Sequence, residues 1–198
     1  MNLELKIRER GFTLVELLVV VAIISGLAGI FVPKFLNYSN FQELQNAAAD
    51  LHSQVRLAQN NAQSGVICSK NISSSTWYLK FESDSSYKIE TTCVGSNVEA
   101  GTPTPTPPQS TSYKMNEGIK IASIDLVAGS STCSTQGSEV AGFGVSFSSI
   151  SGAVRLISGS PGCPVNNSTS RMVINLASST EQKSVVVETG GSVYVEAD

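Results

Sequence analysis

The sequence predicts an α+β protein in which one long amino-terminal α-helix packs on a carboxy-terminal, antiparallel β-sandwich-like domain. A charge-free apolar run extends from Leu17 to Val32, and a helical apolar stripe follows it to about Ser64. The rest of the chain is rich in Ser, Thr, Gly and Val, and it alternates apolar with polar positions as half-buried strands do. These three features divide the chain into a helix and a β-rich domain.

The length of the chain limits the number of its domains, and its charge limits the kinds of partner that it can bind. Its 198 residues leave room for one membrane segment and one globular domain of ordinary size. The formal net charge is -3, and the charges beyond the apolar run are scattered. The sequence has no basic patch that would bind nucleic acid through counterion release, so nucleic acid is not an expected partner.

At the start of the chain, basic residues precede an apolar run, as they do in a membrane anchor. Lys6, Arg8 and Arg10 precede the apolar run, which places the amino terminus in the cytoplasm by the positive-inside rule. The segment from Phe12 to Pro33 has 22 residues, and as a helix it is about 33 Å long, enough to cross a bilayer. The small-residue cleavage site of an ordinary signal peptide does not follow it.

Glu16 is the one feature that a plain membrane anchor does not explain. An ionisable side chain in mid-membrane costs about 2.5–3.5 kcal/mol on insertion scales, so such a residue indicates a function. Its position near the helix start lets the positive end of the helix dipole offset part of that cost. The alternative is a glutamate at the interface whose side chain reaches water.

The block from Gly11 to Leu18, GFTLVELL, resembles the processing site of type IV prepilins and of the pseudopilins of type II secretion. The resemblance implies that residues 1–11 form a leader peptide, which prepilin peptidase removes between Gly11 and Phe12. It also implies that the associated N-methyltransferase modifies Phe12. Glu16 would guide assembly with other pilin or pseudopilin subunits on an inner-membrane assembly platform.

Pro33 matches the proline that kinks the helix in this family, so the resemblance implies a kink at the end of residues 12–33. This half would be the transmembrane and filament-core half of the helix. Pairing Glu16 with the exposed amino group of a neighbouring subunit would satisfy both charges and set the axial register between subunits. Small residues four positions apart allow close helix packing, although the glycines can equally loosen the helix. They are Ala22 with Gly26 and Ser25 with Gly29.

The amphipathic half of the helix is expected over residues 34–64. Its apolar residues fall on one face at alternating steps of three and four, so this face packs on a sheet or on neighbouring subunits. Gly65 is a natural helix stop. The stripe consists of Phe41, Leu44, Ala48, Leu51, Val55, Ala58 and Ala62.

Residues 65–198 are expected to form a β-rich extracytoplasmic domain of about eight short strands. A phase change in one apolar run predicts a bulge near Ala122, and Gly190-Gly191 predicts a tight hairpin turn. The Pro/Thr-rich stretch 100–112 is expected to be an exposed loop, with disorder favoured over an interaction surface. The alternating segments are 77–81, 87–89, 119–126, 143–147, 172–176, 185–187 and 193–195.

Four cysteines lie beyond the apolar run, and none belongs to a CxxC pair. Their even number and wide spacing predict two disulfides in an oxidising compartment outside the cytoplasm, with four free thiols as the alternative. Four cysteines allow three connectivities. The shortest loops are closed by pairing Cys68 with Cys93 and Cys133 with Cys163.

The later parts of the chain resemble, more loosely, the H-type minor pseudopilins and their pilus relatives, the GspH/FimT-like group. The helix end 51–62 and the closing segment 188–193 carry this resemblance. DNA-uptake members of the group carry arginines near the end, where this chain has Ser192, Glu196 and Asp198. The resemblance therefore does not extend to DNA binding.

The pattern of polar residues predicts neither an enzyme, nor a metal site, nor a cofactor. His52, the single histidine, has no metal-ligating neighbours in sequence and is typical of a surface or hydrogen-bonded helix residue. Ser85 and Lys88 have the Ser-x-x-Lys spacing of serine acyl enzymes but lie in strand-like sequence. Trp77 is more typical of a core tryptophan than of a stacking platform.

The sequence therefore predicts a structural, minor subunit of a type II secretion pseudopilus or of a type IV pilus. The precursor would be a single-pass inner-membrane protein with a cytoplasmic amino terminus, and the mature chain would enter an extracytoplasmic filament. The alternative is a membrane-tethered extracytoplasmic binding protein, for example a DNA-uptake minor pilin. Only the filament subunit has a use for an unpaired carboxylate at Glu16.

Overall fold

A computed structural model describes residues 12–64, 67–69, 72–95, 110–148, 152–165, 169–179 and 181–196. For residues 30–37, 67–75 and 93–95 it describes at most the backbone. The chain divides into two compact units, Met1–Ser39 and Asn40–Asp198.

Helix α1 extends over Leu14–Gln63, so the long helix predicted from the sequence is present. In the second unit its apolar stripe is buried, because an apolar residue every three or four positions keeps one helix face against the core. Phe41, at the start of the predicted stripe, is only partly buried. Gly65, the predicted stop, lies outside the described residues. The buried members, each at most 1% exposed, are Leu44, Ala48, Leu51, Val55, Ala58 and Ala62.

Eleven strands follow in the described part of the chain. In order they are β1 (Ile67–Ser69), β2 (Ile72–Ser83), β3 (Ser86–Gly95), β4 (Ser110–Lys114), β5 (Lys120–Ala128), β6 (Ser131–Gln136), β7 (Gly144–Ser148), β8 (Val154–Ile157), β9 (Thr169–Ala177), β10 (Gln182–Glu188) and β11 (Val193–Val195). A 3₁₀-helix, Gly137–Val140, connects β6 to β7.

These strands form two antiparallel sheets. Sheet A has the order β4-β3-β2-β7-β8, with β1 paired to the start of β2. Sheet B has the order β11-β10-β9-β5-β6. Together with α1 they form the α+β fold that the sequence predicts.

The inward faces of both sheets and the stripe of α1 share one hydrophobic core. Alternate residues of strands such as β2 and β9 contribute to it, because successive side chains of a strand point to opposite faces. On β2, for example, Leu79 and Phe81 are buried, whereas Lys80 between them is partly exposed. Trp77 also belongs to this core, as its sequence context predicts.

Two predicted backbone irregularities are present. The register between β5 and β9 shifts between Ile121 and Ser123, so Ala122 is the extra residue of a bulge. Strands β10 and β11 form a hairpin, in whose turn Gly191 has a φ of 92°. Glycine adopts this left-handed conformation without the steric cost that other residues would meet.

The strand count exceeds the eight that apolar alternation predicts, because polar edge strands carry no such signal. Strand β6 reads Ser-Thr-Cys-Ser-Thr-Gln, and pairing with β5 identifies it as a strand. Strand β4 corrects the loop predicted at residues 100–112, since Ser110 to Ser112 pair with β3. The last proline of that stretch is Pro108, so the N–H groups needed for pairing return just before β4. Residues 96–109 lie outside the described part.

The predicted disulfide between Cys133 and Cys163 is present, with a Cα–Cα distance of 5.6 Å. It joins β6, an edge strand of sheet B, to the segment that follows β8, an edge strand of sheet A. Closing a loop of 30 residues contributes about 3–4 kcal/mol of stability in the chain-entropy account. The side chains of Cys68 and Cys93 lie outside the described residues, so their pairing stays a prediction.

The outward face of sheet A carries a cluster of ion pairs. Glu90 accepts from Lys80 at 2.6 Å and pairs with Lys88 at 3.2 Å, while Lys88 also lies 3.8 Å from Glu82. Lys80 and Lys88 are directly opposite each other in register, an arrangement that repels unless a carboxylate lies nearby. Partial burial by itself raises the pKa of Glu90, but the hydrogen bonds from Lys80 and Lys88 and the positive charges of both lysines together outweigh it and hold that pKa below its usual value of 4.5.

The buried stripe of α1 leads to a stability prediction. Leu51→Ala removes a side chain that is 1% exposed and leaves a cavity, so the free energy of unfolding should fall by about 2–5 kcal/mol. The matched control is Leu57→Ala, the same change on the same helix where the side chain is 44% exposed; it should cost about 0.5 kcal/mol or less. Guanidinium unfolding of the purified chain measures both. Equal losses would contradict the packing of this helix face.

The position of Glu90 predicts a pH dependence. Because its pKa is lower in the folded chain, its contribution is fully present above the unfolded pKa and is lost as the pH falls through the folded value. Glu90→Gln should therefore lower the free energy of unfolding by about 0.5–1 kcal/mol at neutral pH, and this loss should disappear in acid, once Glu90 is protonated in the folded chain as well. Unfolding at neutral and at acid pH tests this. The control Glu82→Gln should show a smaller change, and a pH-independent loss at Glu90 would contradict the ion-pair account.

Candidate functional site at the start of the helix

The first described residues form a capped helix start. The backbone N–H of Glu16 donates to Thr13 Oγ1 at 3.2 Å, and the N–H of Leu17 donates to the Thr13 carbonyl at 3.2 Å. Thr13 is therefore the N-cap of α1, and Glu16 is its third helical residue. The Thr-x-x-Glu spacing before an apolar run is the signature of a capping box. Thr13 is thus a site residue absent from the sequence predictions, although this signal was available to find it.

Glu16 is exposed in the first turn of α1. Its backbone N–H is bound to Thr13, but no cation or hydrogen-bond donor among the described residues pairs with its carboxylate. The free N–H groups of a first helical turn carry partial positive charge, which favours a carboxylate there. A cation from outside the described residues can therefore approach Glu16 without displacing an existing partner.

The side chains around Glu16 are apolar on every side of the helix. Every described side chain in residues 12–29 is exposed, including Phe12 at 80% and Ile24 at 60%. A helix that is apolar all round is stable only where its surroundings are apolar too. Within the described residues, no helix has both the length and the apolar character needed to span a membrane. The exposed large apolar residues of this segment are Phe12, Leu14, Val15, Leu17, Leu18, Val19, Val20, Val21, Ile23, Ile24 and Leu27.

The structure does not test the predicted roles of two site residues, Gly11 and Pro33. Gly11 lies outside the described residues, so the structure describes only Phe12 of the predicted cleavage site. Pro33 lies within α1, but its side chain is not described. Cleavage, methylation and the kink therefore stay predictions.

His52 is hydrogen-bonded to the backbone of the closing hairpin. Its Nε2 lies 3.1 Å from the carbonyl oxygen of Val193, to which it donates. Arg56 Nη2 donates to the same carbonyl at 3.0 Å, and Gln59 Nε2 donates to the carbonyl of Gly191 at 3.0 Å. Three residues of α1 thus hold the closing hairpin. These two segments carry the looser of the two sequence resemblances, and the structure brings them into contact.

The other residues considered for chemistry have structural partners. Lys88 of the Ser-x-x-Lys spacing pairs with Glu82 and Glu90, and Trp77 is 6% exposed in the core. In the part of the chain that the structure describes, no three His, Cys, Asp or Glu side chains are grouped to hold a metal ion. The start of α1 is therefore the site that the sequence and the structure both single out.

Residues 6–31 match the family described as the prokaryotic N-terminal methylation motif. This motif is characteristic of type IV pilin-like precursors. The matched residues include Gly11, Phe12 and Glu16, and the motif supports the relation to type IV pilins and pseudopilins. It indicates a structural class whose members are membrane-anchored precursors, are processed by prepilin peptidase and interact with other pilin subunits. The chain has no significant match among curated proteins or among solved structures.

The cap of α1 yields a prediction. Thr13→Ala removes the acceptor for the Glu16 amide, which costs about 1 kcal/mol and should speed hydrogen exchange of that amide about fivefold. Thr13→Ser keeps a hydroxyl at the same place and should exchange like the parent chain. Exchange measured by NMR on the chain in detergent micelles tests both variants. Equal exchange in the Ala and Ser variants would show that the hydroxyl does not cap the helix.

Proposed function

We propose that the mature protein begins at Phe12 and is a structural, minor subunit of a type II secretion pseudopilus or a type IV pilus, polymerised through α1. One observation carries this proposal. Glu16 is a carboxylate without a partner among the described residues, in the first turn of a helix segment whose described side chains are exposed and mostly apolar. The same segment matches the methylation motif.

Leader removal would supply the missing cation. Cleavage before Phe12 creates an α-amino group one residue ahead of the N-cap Thr13, at the positive end of the helix dipole. A cation is disfavoured there, and a carboxylate is costly in apolar surroundings. Pairing the amino group of one subunit with Glu16 of the next relieves both penalties and sets their axial register. Methylation of Phe12 keeps this charge while adding apolar surface.

The same segment also supports a membrane topology for the precursor. The basic leader stays in the cytoplasm, residues 12–33 cross the inner membrane once, and residues 65–198 fold outside with the amphipathic half 34–64. The disulfide between Cys133 and Cys163 suits that oxidising side of the membrane. Prepilin peptidase, its N-methyltransferase activity and the inner-membrane assembly platform are the partners that this route requires.

The H-type, GspH/FimT-like character is the finer part of the proposal. It is supported by the contact between its two motif segments, in which Arg56 and Gln59 of the helix end bind the Gly191 and Val193 carbonyls of the hairpin. A Cβ at Gly191 would lie 3.2 Å from Gln59 Nε2, so glycine suits this approach as well as the turn. Arg56 is occupied by these contacts, which leaves it unsuited to binding DNA.

Replacing Glu16 tests the pairing of charges. Glu16→Ala should be processed like the parent chain, with Phe12 as the first residue, but its incorporation into filaments should fall at least about tenfold because the neighbour's amino group loses its counter-ion. Glu16→Asp is the matched control that keeps the charge and should retain more incorporation. Sheared filaments analysed by immunoblot and amino-terminal sequencing provide the measurements.

Gly11→Ala separates processing from assembly in the same experiment. This variant should keep residues 1–11 and should stay in the membrane fraction. If it were trimmed normally, the peptidase assignment would be wrong. If Glu16→Leu entered filaments as well as the parent chain, or if the parent chain never left the membrane, the helix would be a tether for a binding domain instead.

A further inference from the structure

A groove of about 580 Å³ lies on the outward face of sheet A, in the β domain and remote in sequence from Glu16. Its floor is formed by Ser146 and Ser148 of β7, and its walls include Tyr78 of β2 and Arg155 of β8. Val165, in the segment that the Cys133 disulfide holds, lines it as well. The groove thus lies over β2, β7 and β8 and has a wall on a disulfide-anchored segment.

The register of sheet A explains why a groove forms here. Tyr78 pairs with Ser146, and Ser146 pairs with Arg155, so the three lie in one row across β2, β7 and β8. Their side chains face outward, since the next residues in each strand, such as Leu79 and Val145, are buried in the core. A short serine side chain between a tyrosine and an arginine leaves a trough along the middle strand.

Arg155 is the polar group of this groove that most needs a ligand. Its side chain is exposed, and no acceptor among the described residues binds its guanidinium. Lys80 and Lys88, on the same face of sheet A, are already paired with Glu90. A guanidinium binds a carboxylate through two parallel hydrogen bonds, so an unpaired arginine beside a groove favours a carboxylate ligand.

The serines of the floor indicate the shape of that ligand. The Ser146 hydroxyl donates to the backbone carbonyl of Arg155 at 3.3 Å, which leaves its lone pairs to accept a hydrogen bond. Ser148 lies two residues further along β7, about 6.8 Å away. An extended peptide repeats its backbone polar groups at the same two-residue interval, whereas a helix does not. A single unpaired cation is too few for nucleic acid, whose affinity depends on many phosphate contacts.

We propose that this groove binds an extended segment of another polypeptide, with an acidic side chain of that segment paired to Arg155. The peptide backbone lies along β7 with its donors on the Ser146 and Ser148 hydroxyls, and an apolar side chain packs on the ring of Tyr78. This site goes beyond the filament function, because it uses the β domain and would exist whether or not α1 polymerises.

The test uses the mature full-length protein in detergent micelles. The probe is an array of synthetic heptapeptides with Glu fixed at the centre, beside an otherwise identical array with Gln at the centre. The expected result is binding that prefers the Glu array and weakens as salt is added. For the best Glu peptide, Arg155→Gln should raise the Kd measured by fluorescence anisotropy about tenfold.

Two further variants test whether binding depends on Arg155 and on the groove itself. Arg171→Gln removes the same charge from an exposed position on β9 of sheet B and should leave the Kd unchanged. Ser148→Leu fills the floor of the groove and should abolish binding while the circular dichroism spectrum and thermal unfolding stay like those of the parent chain.

Three outcomes would overturn the proposal. The Glu array could bind no better than the Gln array, or Arg171→Gln could weaken binding as much as Arg155→Gln. Acidic oligosaccharides could also compete for Arg155 more strongly than any peptide, which would assign the groove to a sugar ligand. None of these results depends on filament formation, so the groove and the filament function fail or stand separately.

Discussion

The burial of one face of α1 is the contact on which the β domain depends. The stripe from Leu44 to Ala62 lies in the same core as the inward residues of both sheets. Each sheet is apolar on its inner side and needs an apolar layer against it. The hydrogen bonds from His52, Arg56 and Gln59 to the closing hairpin then attach the last strands of sheet B to the same helix.

The same helix has a second, opposite chemical character at its start. From residue 12 to residue 29 the described side chains are exposed and, apart from a few small or polar positions, apolar. Burial of a stripe in the second unit needs only an amphipathic period, whereas an all-round apolar surface needs surroundings that are apolar on all sides. One carboxylate, at Glu16, interrupts this apolar surface in the first turn of the helix.

The fold was predictable wherever one side of an element is buried. Leu79, Ile124 and Val187 lie in alternating patterns that follow directly from one-sided burial, and the phase change at Ala122 marks a bulge that the register confirms. Edge strands β4 and β6 were not predictable in this way, because most of their side chains are polar and each has a single apolar residue at the core, so the backbone pairing defines them. The Thr13 cap was readable from its spacing to Glu16, and the hydrogen bond confirms it.

The sequence left three cysteine connectivities open, but by itself it determined the long helix, the class of the β domain and the resemblance around Gly11 and Glu16. These features depend on residues close together in the chain or on simple periodicity. Only the tertiary structure decided that His52 and Arg56 bind the carbonyls of the closing hairpin, and that Tyr78, Ser146 and Arg155 form one row. Such contacts join residues far apart in sequence, and strand register, which no local pattern encodes, sets which of them meet.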